Sequence, residues 1–139
     1  MGFKNKYGQV SLYTENNVVI AHFSGYITSG LLRAFKIELC EKIKSLKNQP
    51  WAYISDSFDV LAATPEAEKE MIDISHLMKA NNCLSSAFVL TSAIAINQMK
   101  RILECAKRNV NFSECLFTDL DSAKQFISHN LKSKQGQLI

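Results

Sequence analysis

The sequence predicts a single α/β domain with a small, mostly parallel sheet of about five strands and four helices. Short β-type runs alternate with longer runs whose apolar residues recur every three or four positions, in the order ββαβαβαβα. The 139 residues fit one domain, and 47% hydrophobic against 21% charged residues is close to the globular average. Helices between strands require crossover connections, so most neighbouring strands are expected to be parallel.

An antiparallel hairpin is expected at the start of the ordered core. From Gln9 to Thr14, polar and apolar residues alternate as in a strand with one buried face. Glu15-Asn16-Asn17 then interrupts the pattern, and asparagine tolerates the left-handed backbone of a tight turn. The second strand runs from Val18 to Phe23.

A first helix and a buried strand follow the hairpin. Thr28 or Ser29 offers a side-chain oxygen to cap the helix, which ends before Pro50 because the residue preceding a proline disfavours helical angles. The short run from Trp51 to Ser55 reads as a central strand. The buried stripe predicted for the helix is Leu32, Phe35, Leu39, Ile43 and Leu46.

Three more helices and two more strands complete the predicted domain. Thr64 caps the second helix, with Pro65 in its first turn, and Thr118 or Asp119 caps the last one. The ordered core is expected to cover about residues 9–131, with a flexible tail over 133–139. The remaining strands are Ala87 to Leu90 and Cys115 to Phe117, and the third helix carries Ile96, Met99, Leu103 and Ala106.

The composition argues against several classes of function. The 16 basic and 13 acidic residues are scattered, which disfavours a nucleic-acid binder. The longest apolar stretch, Ala87 to Ile96, is too short to cross a bilayer, and no signal-peptide pattern opens the chain. The four cysteines form no CxxC pair, and the three histidines lack metal-ligand spacing. We therefore expect a reduced, cytoplasmic protein without metal or cofactor and, since no catalytic motif is found, without enzymatic activity.

The polar segment from Asp56 to Thr64 is the predicted functional site. It follows the central strand at the carboxyl edge of the sheet, where open parallel sheets place ligand and partner sites. Asp56 and Asp59 could bind a cation, act as an acid and base pair or, with Ser57 between them, help to orient a phosphorylated hydroxyl. At Thr64, a phosphate or carboxylate could rest on the free amides of the helix start. The alternative is structural, because Asp and Ser often bond their own loop backbone and Thr64 is needed as a cap.

The chain resembles the STAS and SpoIIAA-like superfamily, whose founding members are bacterial anti-sigma-factor antagonists. The resemblance covers about Val10 to Leu131 and is closest to an uncharacterised STAS-like branch sometimes related to the lipid-exchange SEC14 fold. The stretches that carry it are Val18 to Tyr26, Trp51 to Ser55, Thr64-Pro65-Glu66-Ala67 and Phe117-Thr118-Asp119-Leu120-Asp121-Ser122-Ala123.

The resemblance implies a small mixed sheet packed by helices, and protein or small-ligand binding rather than turnover. Related antagonists carry an Asp-Ser-Ser-Gly type motif whose serine is phosphorylated. Asp56-Ser57-Phe58-Asp59 lacks the second serine and the glycine, so a phosphoacceptor role for Ser57 is a hypothesis.

The sequence is compatible with three hypotheses about function. The leading hypothesis is a regulatory module that presents Asp56, Ser57, Asp59 and Thr64 to a protein partner, with phosphorylation as a switch. The second is a carrier of a small apolar ligand or lipid, which would need a cavity of about 300 Å³ or more. The third is a hydrolase built on Asp56, Asp59 and one histidine, His76 being a candidate. Homodimerisation is a further expectation, since small domains often bury an exposed edge or helix face against a copy.

Overall fold

One six-stranded sheet, with its strands in chain order, forms the centre of the computed structural model, which describes residues 2–107 and 111–137 and side chains as far as residue 132. The first three strands pair antiparallel, and the third to sixth pair parallel. The strands are β1 (Gly2–Lys4), β2 (Gly8–Glu15), β3 (Val18–Ile27), β4 (Trp51–Ala63), β5 (Cys83–Val89) and β6 (Leu116–Phe117).

Helices cover both faces of this sheet. Three of them pack on one face, over a core that includes Leu32, Phe35 and Ile74. The last helix packs on the other face, where Ala123 and Ile127 meet the central strands. The predicted mixed sheet with helices packed on it is therefore confirmed. The helices are α1 (Ser29–Ser45), α2 (Pro65–Ala80), α3 (Ala93–Cys105) and α4 (Leu120–Gln137), with a 3-10 turn at Phe112–Glu114.

The sheet has one more strand than the sequence predicts. β1 pairs antiparallel with β2, Phe3 lying opposite Val10. Its three residues are exposed and carry no alternating pattern, so periodicity could not reveal it. A turn closed by the Asn5 side chain, which accepts hydrogen bonds from the amides of Tyr7 and Gly8, folds it back onto β2.

Local signals predicted the hairpin and the helix starts correctly. Asn16 and Asn17 have φ values of 50° and 65°, the left-handed backbone of the predicted turn. Thr28 caps α1, since its Oγ1 accepts a hydrogen bond from the Leu31 amide at 3.3 Å. For α4, Asp119 Oδ1 accepts from the Ser122 amide at 2.7 Å. The predicted flexibility of the tail over 133–139 stays a prediction: α4 is described as far as Gln137, and the last two residues lie outside the described part of the chain.

The prediction of a loop between Asp56 and Thr64 was wrong. β4 continues through Ala63 as a strand, because β3 continues to Ile27 and pairs with it in parallel. Ser24 lies opposite Asp59 and Ile27 opposite Ala63, with irregularities that break the simple alternation of buried and exposed residues. The pairing partner lies far away in sequence, so the segment did not read as a strand.

The other edge of β4 is completed by side chains rather than by a strand. β5 pairs with β4 only as far as Asp56 and Val89. Beyond that point, Gln98 from α3 acts like a neighbouring peptide group: its Oε1 accepts from the Ala63 amide at 2.8 Å, and its Nε2 donates to the Ala63 carbonyl at 2.8 Å. These bonds satisfy backbone groups that would otherwise lose their partners.

Replacing Gln98 by alanine is expected to lower the free energy of unfolding by about 1–3 kcal/mol, because the Ala63 amide and carbonyl lose their partners in a half-buried setting. Urea unfolding measures the change. Asn97→Ala, on the exposed neighbouring position of α3, is the control and is expected to change stability by no more than about 0.5 kcal/mol. Equal losses in the two variants would contradict the role of Gln98.

The cap of α4 predicts a dependence of stability on pH. Hydrogen bonds from the backbone and side chain of Ser122 lower the pKa of Asp119 below its usual value of 3.8. A lowered pKa in the folded state stabilises the fold above the ordinary carboxyl pKa, and this contribution disappears as the pH falls through the lowered value. The advantage of the wild-type chain over Asp119→Asn in urea unfolding should therefore shrink in acid, and salt should weaken it because the carboxylate is exposed. An advantage that stays constant down to strong acid would refute this.

Candidate partner-binding site

The four residues predicted as the site do not lie on one exposed loop. Asp56 and Ser57 belong to β4, Asp56 half-buried and Ser57 buried. Asp59 is exposed further along the same strand. Thr64 follows the end of β4 and caps α2, its Oγ1 accepting from the Ala67 amide at 3.2 Å. The four therefore have different surroundings and different chemical possibilities.

Ser57 faces the core of the protein. Its side chain is 4% exposed, and its Oγ lies 2.9 Å from Oγ of Ser55, which is also buried. Because a modifying enzyme must enclose the hydroxyl that it phosphorylates, this position is closed to a kinase while β4 is formed. Thr64 is only partly buried and stands at the entrance to α2, so its hydroxyl is the more accessible of the two.

Asp56 pairs with a histidine that the sequence did not single out for this role. His22 lies opposite Asp56 in the parallel pairing of β3 and β4, and its Nδ1 is 3.1 Å from Asp56 Oδ2. The side chains are 40% and 18% exposed, respectively. His76, the histidine considered in the sequence, lies on α2. Only the register of two strands separated by a helix could have shown that His22 is the partner.

A histidine and an aspartate in contact could transfer a proton. An active site also needs a bound substrate and a pocket that holds it. A positioned acid and base act on a substrate held within hydrogen-bond reach, usually in a concave pocket. Two cavities of the described part of the chain, one in the core and one beside α4, are lined by other residues than His22 and Asp56. The pair lies on the sheet face that carries α4, beside the part that this helix covers.

Exposed apolar side chains occur in two segments that hydrogen bonds join, the end of β4 and the start of α3. Phe58, Leu61 and Ile94 are 50%, 51% and 62% exposed. Hydrogen bonds join the two segments: Thr91 Oγ1 donates to the Phe58 carbonyl at 3.0 Å and Ser92 Oγ to the Leu61 carbonyl at 2.8 Å. We name Phe58, Asp59, Leu61, Thr64 and Ile94 the β4 tip.

The sequence reasoning missed the apolar part of this surface. Phe58 and Leu61 flank Asp59 in a segment that was interpreted by its polar residues, and Ile94 precedes the buried stripe of α3. Phe58 and Leu61 were themselves a signal in the sequence, because two large apolar residues within four positions are unusual in a segment predicted as a polar loop. The bonds from Thr91 and Ser92 to β4 could not be foreseen without the fold.

The acidic side chains at the start of α2 are not all free for a partner. Glu68 pairs with Arg101 of α3, with Oε1 and Nη2 2.6 Å apart. This ion pair joins two neighbouring helices, and Glu68 is only 17% exposed. Glu66, two residues earlier, is exposed in the first turn of α2, next in sequence to Pro65 and Thr64.

The cavity that reaches the core between the sheet and α1–α3 is small. A cavity of about 80 Å³ lies between the sheet and the helices of the α1–α3 face. A lipid carrier would need roughly 300 Å³ or more. The cavity therefore gives no support to a lipid carrier of the SEC14 type.

Residues 2–107 and 111–132 contain no cluster of three or more histidine, cysteine, aspartate or glutamate side chains that could hold a metal ion. Among the described helices, none combines the length and the apolar character that a membrane crossing requires.

The fold of this chain is similar to that of two proteins of known structure. No protein-family model and no curated protein matches the sequence. The solved structure of SLC26A9, which contains a STAS domain, superposes with a TM-score of 0.63 at 14% identity over 96% of this chain. The chain spans only 26% of SLC26A9. An anti-sigma factor antagonist from Mycobacterium paratuberculosis superposes with a TM-score of 0.55 at 15% identity, over 86% of this chain and 92% of the antagonist.

The chain has a STAS-like fold. The resemblance predicted from the four sequence stretches is thus confirmed at the level of the fold. The STAS-like fold has the mixed sheet and the helices on both faces that position the β4 tip at the carboxyl edge of the parallel strands. At 14% and 15% identity the comparisons carry no residue roles over to this chain.

Negative charge at Ser57 and at Thr64 should have opposite consequences. Ser57→Asp introduces an unpaired carboxylate into the core and is expected to cost about 3 kcal/mol or more. Thr64→Asp places the same group at a helix start, where aspartate is itself a good cap, and should stay within about 0.5 kcal/mol of wild type. Urea unfolding of both variants measures this contrast. A stable Ser57→Asp protein would show that Ser57 is more accessible than its 4% exposure indicates.

Proposed function

We propose that the chain is a non-enzymatic regulatory or binding module that presents the β4 tip to a protein partner. The observation that carries the proposal is the group of exposed apolar side chains, Phe58, Leu61 and Ile94, at one edge of the sheet. Exposed apolar side chains that form a contiguous patch mark interaction sites in soluble domains, and the hydrogen bonds between the two segments bring these three residues to the same edge. The likeness to an anti-sigma factor antagonist supports a regulatory module at the level of the fold.

The β4 tip is suited to binding because its backbone is held in place before a partner arrives. β3 pairs with one edge of β4, and Thr91, Ser92 and Gln98 bond the other. A surface ordered in advance loses less conformational entropy on association. Its exposed side chains are therefore presented in a defined arrangement.

The chemistry of the surface indicates the chemistry of its partner. Phe58, Leu61 and Ile94 provide an apolar centre, and Asp59 and Glu66 add negative charge beside it. A partner that buries these side chains needs an apolar contact patch with basic residues at its rim. We propose a protein partner of this type and a cytoplasmic location for the complex.

We further propose that Thr64, rather than Ser57, is the residue through which phosphorylation would act. A phosphate adds about −1.5 to −2 charges and can rest on the free amides of a helix start. At Thr64 this charge would join Asp59 and Glu66 at the β4 tip and strengthen attraction to a basic rim. Mass spectrometry of protein from native cells should find any phosphate on Thr64, and modification of Ser57 in folded protein would contradict this assignment.

The contact between His22 and Asp56 favours one alternative function. It supplies an acid and base pair for the hydrolase hypothesis, at 3.1 Å. Turnover of a substrate that is lost in both His22→Ala and Asp56→Asn, but not in Phe58→Ser, would support this alternative over partner binding.

A pair of matched double variants tests the partner proposal. Phe58→Ser with Ile94→Ser removes apolar area from the β4 tip, whereas Phe3→Ser with Ile37→Ser makes the same replacements at side chains that are 43% and 68% exposed elsewhere. The first variant is expected to lose partner binding by about 30-fold or more, since the loss of even one central contact worth about 2 kcal/mol weakens binding by that factor. The control should bind like wild type.

The measurement begins with affinity capture from lysate of native cells, followed by titration of the purified partner against all three proteins. Thermal unfolding first establishes that both variants are folded. Equal binding by the two double variants would overturn the assignment of the β4 tip. Sedimentation of the chain alone tests the expected homodimer separately, and a dimer lost only in Phe58→Ser with Ile94→Ser would make a second copy the partner.

A further inference from the structure

The core cavity on the α1–α3 face has an unusual lining. Its floor is formed by inward-facing residues of β4 and β5, and its roof by α2 and α3. Its volume is about 80 Å³. The polar side chains in its wall are Tyr53, Ser55, Ser57, Ser75, Ser86 and Gln98.

The floor departs from what a central parallel strand normally contains. Strands covered on both faces are usually rich in valine, isoleucine and leucine. On its α4 side, β4 follows this rule with the buried Ala52 and Ile54. On its cavity side, the successive inward positions are Tyr53, Ser55 and Ser57, each 5% exposed or less. Hydroxyl groups therefore replace aliphatic groups on one side of the strand only.

These three hydroxyls form a chain along the cavity floor. Ser55 Oγ lies 2.9 Å from Oγ of Ser57, and a hydrogen bond with Ser55 is among the influences on the pKa of Tyr53. Burial raises the pKa of Tyr53, so the phenol stays protonated and can donate. Each hydroxyl has one donor and two acceptor positions, and Ser57 lies at the end of the chain. The floor thus retains capacity for a further hydrogen bond from within the cavity.

The roof can adapt its shape. Met71 and Met78 of α2 and Met99 of α3 line the cavity, three of the four methionines in the sequence. Methionine is unbranched and flexible, and it lines many sites that accommodate different ligands. A rigid cavity of roughly 150 Å³ admits benzene, so a single ring requires a modest outward movement of these side chains.

We propose that this cavity binds a small neutral molecule with one hydroxyl or carbonyl group on an apolar body no larger than a single ring. The ligand is neutral because none of the residues lining the cavity carries a charge. Its polar group bonds to the hydroxyl chain at Ser57, and its apolar body lies against the methionine roof. This inference is independent of the partner proposed for the β4 tip.

Binding to the cavity can be measured with phenol, which has a hydroxyl group on a single ring. Benzene has the ring alone and measures the apolar contribution to binding. With methyl-labelled methionine, phenol should shift the NMR signals of Met71, Met78 and Met99 saturably in the wild-type chain. Ser57→Ala should weaken phenol binding about fivefold and leave benzene binding unchanged, because only phenol uses the hydroxyl. Ser85→Ala is the matched control: Ser85 is buried and hydrogen-bonded to Asn130, but it lies outside the cavity lining. The Ser85→Ala protein should bind phenol and benzene with wild-type affinity.

Filling the cavity completes the test. Ala95→Leu projects a larger side chain from the cavity wall and should abolish binding of both probes, and Ser86→Leu serves the same purpose if the first variant does not fold. Linear, non-saturating shifts, or binding that survives filling, would overturn the proposal. Equal losses of phenol and benzene affinity in Ser57→Ala would overturn the role of the hydroxyl chain.

Discussion

The parallel pairing of β3 with β4 beyond the end of β5 is the interaction on which the rest of this structure depends. It keeps β4 extended as far as Ala63, opposite Ile27 of β3. An extended strand leaves amide and carbonyl groups along its second edge, and these must find partners when they are shielded from water. Thr91, Ser92 and Gln98 supply them from the start of α3. The position of α3, and with it the place of Ile94 beside β4, follows from this requirement.

The same pairing decides which residues of β4 face the core and which face outward. Side chains alternate along a strand, so extending β4 past Ser55 turns Ser57 inward and leaves Asp56 on the opposite face. Parallel register then places His22 across from Asp56. Had this segment been a loop, Ser57 could have pointed to solvent. Its burial is thus a consequence of strand pairing rather than of its own polarity, which explains why an Asp-Ser pair at the expected place does not provide an accessible hydroxyl.

The parts of the fold that could be predicted are those encoded within a few residues. The asparagine turn at Asn16 and Asn17, the caps at Thr28 and Thr64 and the apolar stripes of the helices are local, and the structure retains them. The extension of β4 is not local, because Ala63 meets a glutamine that lies 35 residues further along the chain. Ser57 shows the intermediate case. Its inward orientation follows from simple alternation once the strand is known to continue, but nothing near it in sequence signals that continuation.

The buried hydroxyls of Ser55 and Ser57, on the cavity side of β4, lower the stability of the fold relative to aliphatic residues at the same positions. Burying a hydroxyl without a partner is unfavourable, and aliphatic residues at the same positions would fill the space beneath α2 and add apolar burial. Mutual hydrogen bonding of Ser55 and Ser57 removes much of the penalty but leaves the cavity unfilled. The opposite side of the same strand carries Ala52 and Ile54, so the strand itself can accept apolar packing. A polar floor confined to one side, under a helix that begins at the β4 tip, is an arrangement that stability alone does not favour and that a bound molecule would make favourable.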